Sequence, residues 1–208
     1  MNNIKVKCCG IKDIEIANHC IAEGASYLGF VFHNNSPRNL TLNKAEEILQ
    51  NLINPIETVA VLKEPSEEQI LSVSQLPFDY LQIHGNISSK QLIRIKNVSK
   101  KKLIKAINVK DKDDINNLEK EENDCEFFLF DSEFSGSGST FEWNILKDIK
   151  MNKDFFVSGG INIENIGDAH SRIKTNFWDL SSGLEVKKGV KDKKLITEFL
   201  TKIKLLVA

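Results

Sequence analysis

A closed (β/α)8 barrel, in one domain spanning residues 1–208, is the fold this sequence predicts, and three observations lead to it. Eight short, almost wholly apolar runs of strand character recur along the chain. Eight stretches with the apolar spacing of helices separate and follow them. No linker, internal repeat or low-complexity segment interrupts the 208 residues. An open doubly wound sheet would want fewer strands. The chain is short for an eight-fold barrel, so its loops have to be brief.

The strand runs, in order, are "IKVKCC" (4–9), "YLGFVF" (27–32), "TVAVL" (58–62), "DYLQIH" (79–84), "LIKAI" (103–107), "FFLFD" (127–131), "FFVSGG" (155–160) and "FWDLSS" (177–182). Near-continuous apolar character marks strands buried on both faces, as in a parallel sheet covered by helices. The first helical stretch, "DIEIANHCIAEG" (13–24), stops on Gly24, a residue suited to a helix C-terminus. The second, "TLNKAEEILQNL" (41–52), opens on Thr41 as N-cap and lines up Leu42, Ala45, Ile48, Leu49 and Leu52 on one face. "SEEQILSVS" (66–74), "SSKQLIRIKN" (88–97), "KDDINNLEKE" (112–121), "TFEWNILKDI" (140–149), "NIENIGDAHSRI" (162–173) and "KDKKLITEFLTKIKLLV" (191–207) complete the alternation. The segment 110–122 is the weakest of these helices and is expected to be partly irregular.

Composition narrows the function class. A formal net charge of -1 gives no field to steer nucleic acid or to attract an anionic membrane. No apolar run approaches the ~20 residues of a membrane span. The opening "MNNIKVKCCGIKD" lacks a signal peptide's apolar core, so a cytoplasmic protein is expected. No helical stretch shows a surplus of exposed apolar residues, so a monomer is expected. The cysteines at 8, 9, 20 and 125 form no Cys-x-x-Cys pair, and no histidine is spaced from them as a zinc ligand, so no metal site is expected. Reduced thiols follow.

Chemistry in such a barrel belongs at the C-terminal ends of the strands. Those ends carry Cys9-Gly10, "HNNSPRN", "QIHG", Asp131 with a Ser/Gly loop, Ser158-Gly159-Gly160 and Ser181-Ser182-Gly183. Glycines after the last two strands predict a phosphate site built from backbone N–H groups, with a serine hydroxyl added. No Walker-type Gly-x-x-x-x-Gly-Lys occurs, so a small phosphorylated metabolite fits better than a nucleoside triphosphate. Strand alternation puts Lys5, Lys7 and Cys9 on one face and Ile4, Val6 and Cys8 on the other. The apolar set should meet the helices, which places Cys9 inside the barrel mouth. There the Lys7 ammonium is expected to lower its pKa and make it a base, leaving Cys8 as the structural thiol.

Taken together, "KCCGIKD", "LGFVFHNNSPR", "LQIHG", "FDSEFSGSGSTFEW", "VSGGINIENI" and "WDLSSGLEVKKGVKD" resemble the phosphoribosylanthranilate isomerase family over essentially the whole chain. The resemblance implies a TIM-barrel enzyme of tryptophan biosynthesis, an aldose–ketose type intramolecular oxidoreductase that needs neither cofactor nor metal. Its reaction would be the Amadori rearrangement of N-(5-phosphoribosyl)anthranilate to 1-(2-carboxyphenylamino)-1-deoxyribulose 5-phosphate by general acid–base catalysis. It implies Cys9 as general base and Asp131 as general acid, the latter's pKa raised by partial desolvation. It implies Arg38 for the anthranilate carboxylate and Gly159, Gly160, Ser182 and Gly183 for the phosphate. His84 and Asp179 would line the pocket near Lys7, and Gly136 and Gly138 would belong to a lid loop at 132–139. Two other readings stand beside it: the related aminoaldose–ketose isomerase of histidine biosynthesis, and a non-catalytic phosphate-binding barrel. Neither a sequence duplication nor a second phosphate site in the first half of the chain favours the former. Retention of Cys9, Asp131 and Arg38 together argues against the latter.

Overall fold

The computed structural model describes residues 4–116, 118–132, 140, 142–149 and 151–206. Eight parallel strands close on themselves in sequence order. They are β1 (Lys5–Cys9), β2 (Tyr27–Phe32), β3 (Glu57–Lys63), β4 (Tyr80–His84), β5 (Lys102–Val109), β6 (Phe127–Ser132), β7 (Phe155–Val157) and β8 (Phe177–Leu180). Each coincides with one of the eight expected runs, β3, β5 and β6 extending one or two residues beyond it. The ring closes where β1 pairs with β8, Lys7 opposite Asp179 and Cys8 opposite Leu180.

Helices return the chain to the start of the next strand: α1 (Ile14–Ala22), α2 (Leu42–Gln50), α3 (Glu67–Ser74), α4 (Ser89–Ser99), α5 (Ile166–Arg172) and α6 (Lys193–Leu206). The first four begin where a short polar side chain accepts a backbone N–H of the first turn, from Asp13, Thr41, Ser66 and Ser88. Ser88 and Gln91 complete a reciprocal capping box.

Two of the eight expected helices are not α-helical. The segment 110–122 contains 3-10 turns at Lys112–Ile115 and Leu118–Glu121, as its polar, Asp- and Asn-rich sequence foreshadowed. The stretch 140–149 is a 3-10 helix, Trp143–Asp148. Its N-cap, Glu142, makes no side-chain capping bond. Between β8 and α6 the chain adds an unexpected feature. A 3-10 turn, Ser182–Leu184, leads into a short antiparallel hairpin of β9 (Glu185–Lys187) and β10 (Val190–Lys191).

The core has two layers, divided by the strand alternation. Outside the barrel wall, Val6, Cys8, Leu28, Phe30, Leu62, Phe128, Phe130 and Trp178 pack against the helices. Inside, Tyr27, Tyr80, Phe156, Phe127 and Phe177 interlock edge-to-face and tilted, with ring centroids 5.2–6.0 Å apart. Four of these five open even-numbered strands, so they plug the barrel's N-terminal end. Val31, Val59, Val61, Ile104, Ala106 and Leu129 continue the filling, and only the C-terminal mouth is left for a site.

Cys8 and Cys9 fall on opposite sides of this wall, as alternation required. Cys8 is wholly buried, and its thiol contacts that of Cys20 on α1. Cys8→Ala is expected to lower unfolding stability by about 1 kcal/mol in urea denaturation while turnover stays near the wild-type rate. A dead Cys8→Ala enzyme would mean that the strand register is wrong.

Candidate active site

A cavity of about 1120 Å³ opens at the C-terminal mouth, and Cys9, Arg38, His84, Asp131, Gly159 and Asp179 are among its walls. Beside it lies a smaller hollow of about 340 Å³, lined by Gly160, Asn162, Ile163, Glu164, Ser182 and Gly183. Gly160 and Ser182 border both. Of the residues expected from the sequence, all but three therefore gather at one end of the barrel on these two hollows. Lys7 is the first exception: it sits beneath the cavity, fully buried, and is not a wall. Gly136 and Gly138 lie outside the described residues. Among the described residues no group of three or more His, Cys, Asp or Glu is placed to hold a metal ion.

Cys9 ends β1 with its thiol turned inward, and Gly29 on β2 makes room for it. A Cβ on Gly29 would stand 2.8 Å from Cys9 Sγ and 3.1 Å from Lys7 Cε, so no larger residue fits there. Below the thiol, Lys7 Nζ donates to Asp179 Oδ1 at 2.9 Å, a buried ion pair across the β1–β8 seam. Burial disfavours the Lys7 charge, but Asp179 and Cys9 outweigh it and hold its pKa above the ordinary lysine value.

The expected lowering of the Cys9 pKa is not what this environment produces. Burial pushes the thiol up, and the Lys7 ammonium opposes that only in part, because Asp179 beside it acts in the other direction. A lysine already paired with a carboxylate presents little net field to a third group. Removing Lys7 would strand the Asp179 charge in the barrel. Lys7→Met is accordingly expected to cost about 3–5 kcal/mol of unfolding stability in urea titration. A loss below 1 kcal/mol would mean that the pair is neutral.

Asp131 emerges from the apolar β6 and is 5% exposed. One carboxylate oxygen, Oδ1, accepts the backbone N–H of Ser132 at 2.9 Å. Gly159 packs directly against it, at a φ of +83° that side chains rarely adopt. A Cβ there would come within 3.1 Å of Asp131 Oδ1 and 2.7 Å of the Ser132 nitrogen. The glycine pair after β7 thus shapes the surroundings of Asp131 as well as the neighbouring hollow.

Arg38 is buried at the mouth, but its guanidinium already has a carboxylate. Nε and Nη2 donate to Glu185 Oε1 and Oε2 at 2.7 and 2.8 Å. Glu185, on the unexpected hairpin, also receives Lys191 Nζ at 2.6 Å and the Gly189 N–H at 3.1 Å. Burial would raise the Glu185 pKa, yet the bonds from Arg38 and Lys191 bring it down to about 2. The run "WDLSSGLEVKKGVKD" contains both Glu185 and Lys191, and sequence reading gave neither a role.

His84 reaches the cavity from β4 and exchanges a 2.7 Å hydrogen bond between its Nε2 and Gln82 Nε2. Burial, with Lys7 and Lys63 nearby, lowers its pKa to about 3, so the ring is neutral near pH 7. Gln82 is 1% exposed, and its Oε1 has no hydrogen-bond partner among the described residues. Gln82 lines the cavity, and sequence reading gave it no role.

Known proteins resemble this chain in sequence and in fold. A sequence model of the N-(5'-phosphoribosyl)anthranilate (PRA) isomerase family matches residues 6–202. The N-(5'-phosphoribosyl)anthranilate isomerase of Petrotoga mobilis is 38% identical over 205 residues, spanning 96% of this chain and 97% of its own. The crystal structure of phosphoribosyl anthranilate isomerase from Thermotoga maritima superposes with a TM-score of 0.86 at 29% identity, covering 97% of this chain and 98% of that one. A further phosphoribosyl anthranilate isomerase structure holds reduced 1-(o-carboxyphenylamino)-1-deoxyribulose 5-phosphate. It superposes at a TM-score of 0.84 and 27% identity, over 97% of this chain and 98% of that chain.

Proposed function

The chain belongs to the N-(5'-phosphoribosyl)anthranilate isomerase family, and from that premise we propose that Cys9 is the general base and Asp131 the general acid of its reaction. The chain is an isomerase of tryptophan biosynthesis. It converts the aminoaldose N-(5-phosphoribosyl)anthranilate into the aminoketose 1-(2-carboxyphenylamino)-1-deoxyribulose 5-phosphate. The histidine-pathway and non-catalytic readings give way to it.

The reaction divides into two proton transfers. Asp131 gives a proton to the furanose ring oxygen as its bond to C1 breaks, and the nitrogen lone pair forms the C1–N double bond. Cys9 thiolate then takes the proton from C2, and the electrons of that C–H bond generate an enolamine that tautomerises to the ketone. The proton gained from Asp131 and the proton lost to Cys9 balance, so the two steps together leave the substrate's composition unchanged. Arg38 holds the anthranilate carboxylate, and Gly159, Gly160, Ser182 and Gly183 hold the phosphate. Gripping both ends fixes C1 and C2 between acid and base. Gln82 Oε1 accepts a sugar hydroxyl, which would satisfy that buried atom.

The observation that carries this reading is the convergence of Cys9, Asp131 and Arg38, from three separate strand ends, on one cavity adjoining a glycine-lined hollow. We propose that the enzyme is a cytoplasmic monomer, one domain over residues 1–208. Large apolar side chains exposed among the described residues, Ile53, Leu71, Ile93, Val186, Val190 and Leu205, come from five separate segments of the chain. No helix among the described residues is long and apolar enough to cross a membrane. Sedimentation revealing a stable dimer would overturn the monomer. The activity is tested by the loss of anthranilate-type fluorescence when purified protein meets freshly prepared substrate. Because the substrate decays unaided, the comparison is with protein-free buffer, and equal decay would refute the reading.

A further inference from the structure

We infer that Glu185 is a positioning residue for the substrate carboxylate, acting through Arg38, and that Lys191 braces it. This rests on the assignment of Arg38 to that carboxylate. A guanidinium offers two edges that match a carboxylate, one formed by Nε with Nη2 and one by the two Nη groups. Glu185 occupies the first edge with both oxygens. Nη1 makes no hydrogen bond among the described residues, so the second edge keeps the donors a second carboxylate requires. Arg38 borders the cavity whereas Glu185 does not, so the fixed edge lies behind the wall and the remaining donors belong to the site.

Charge and connectivity make this more than a surface ion pair. The side chains of Arg38, Glu185 and Lys191 are 7%, 3% and 3% exposed. Glu185 alone would cancel Arg38 and leave a neutral unit with little pull on an anion. Lys191 restores one net positive charge to the trio. Its ammonium also donates to the Ser181 carbonyl at 3.1 Å, and Ser181 Oγ donates to the Cys9 carbonyl at 3.2 Å. The β9–β10 hairpin therefore ties the Arg38 loop after β2 to the ends of β8 and β1. A long flexible side chain held at two points spends little time misdirected, which is what a carboxylate clamp needs.

The test compares two stable ligands: the reduced aminoketose phosphate analogue and its phenyl counterpart lacking the carboxyl group. Their dissociation constants are measured by calorimetry on wild type, Arg38→Met, Glu185→Gln and the double variant Glu185→Gln/Lys191→Met. The double variant removes a buried pair together and guards against failure to fold. In wild type the carboxylated ligand should bind more tightly. Glu185→Gln and the double variant should each weaken it on the order of 10- to 100-fold and leave the phenyl ligand nearly unchanged. If both ligands weaken equally, or neither weakens, Glu185 serves the fold alone and the inference is wrong. If Arg38→Met also leaves the preference intact, the assignment of Arg38 is what fails.

Discussion

Cys9→Ala should lower kcat by about 10²- to 10⁴-fold, the usual contribution of a positioned general base. KM should stay close to the wild-type value, because the thiol removes a proton without carrying either anionic handle. The pH profile makes the prediction sharper. Acid and base together must hold one proton, and the reactive arrangement places it on Asp131 with Cys9 as thiolate. A site that has lost its last proton cannot protonate the ring oxygen. Burial pushes the Cys9 thiol above its ordinary value. The free enzyme therefore keeps that proton through neutrality, and kcat/KM should decline only on the alkaline side of the ordinary thiol range. A decline that begins near neutral pH would show that the lysine lowers the thiol after all. Unchanged kcat in Cys9→Ala would remove the thiol from the mechanism.

That the thiol rises was not legible in the sequence, although its position was. Parity along "KVKCC" suffices to turn Cys9 inward and Cys8 outward, since strand alternation is local. The effect of Lys7 depends on Asp179, 172 residues away in the chain, which the closing β1–β8 pairing brings beside it. Arg38 and Glu185 make the same point across 147 residues. Eight apolar runs located all eight barrel strands, because burial on both faces leaves a strong compositional trace. The three-residue β9 and two-residue β10 leave none, being too short to show alternation. The stretch 140–149 has helical apolar spacing yet contains a 3-10 helix, Trp143–Asp148, so apolar spacing alone does not separate the two helix types. Sequence thus located several of the side chains that touch the cavity, Cys9, Arg38, His84, Asp131 and Asp179 among them, but not Gln82. The partners behind them became visible only once the barrel closed.

Asp131→Asn should be about as damaging, with kcat down by about 10²- to 10⁴-fold, and it isolates the acid cleanly. Asparagine keeps the shape of the side chain, and its amide oxygen can still accept the Ser132 N–H that Asp131 Oδ1 accepts at 2.9 Å. The space beside Gly159 is unchanged, so no packing loss should obscure the result. What disappears is a proton that can be given to the departing ring oxygen; an amide is far too weak an acid to replace it. Ring opening precedes removal of the C2 proton, so no later step can compensate. The dissociation constant of the reduced aminoketose phosphate analogue should stay within about threefold of wild type, because that ligand has no ring left to open. Weakened analogue binding together with the lost turnover would recast Asp131 as a residue that holds the sugar. Normal turnover in Asp131→Asn would mean that the proton reaches the ring oxygen from another group, with the neutral His84 ring the first to examine.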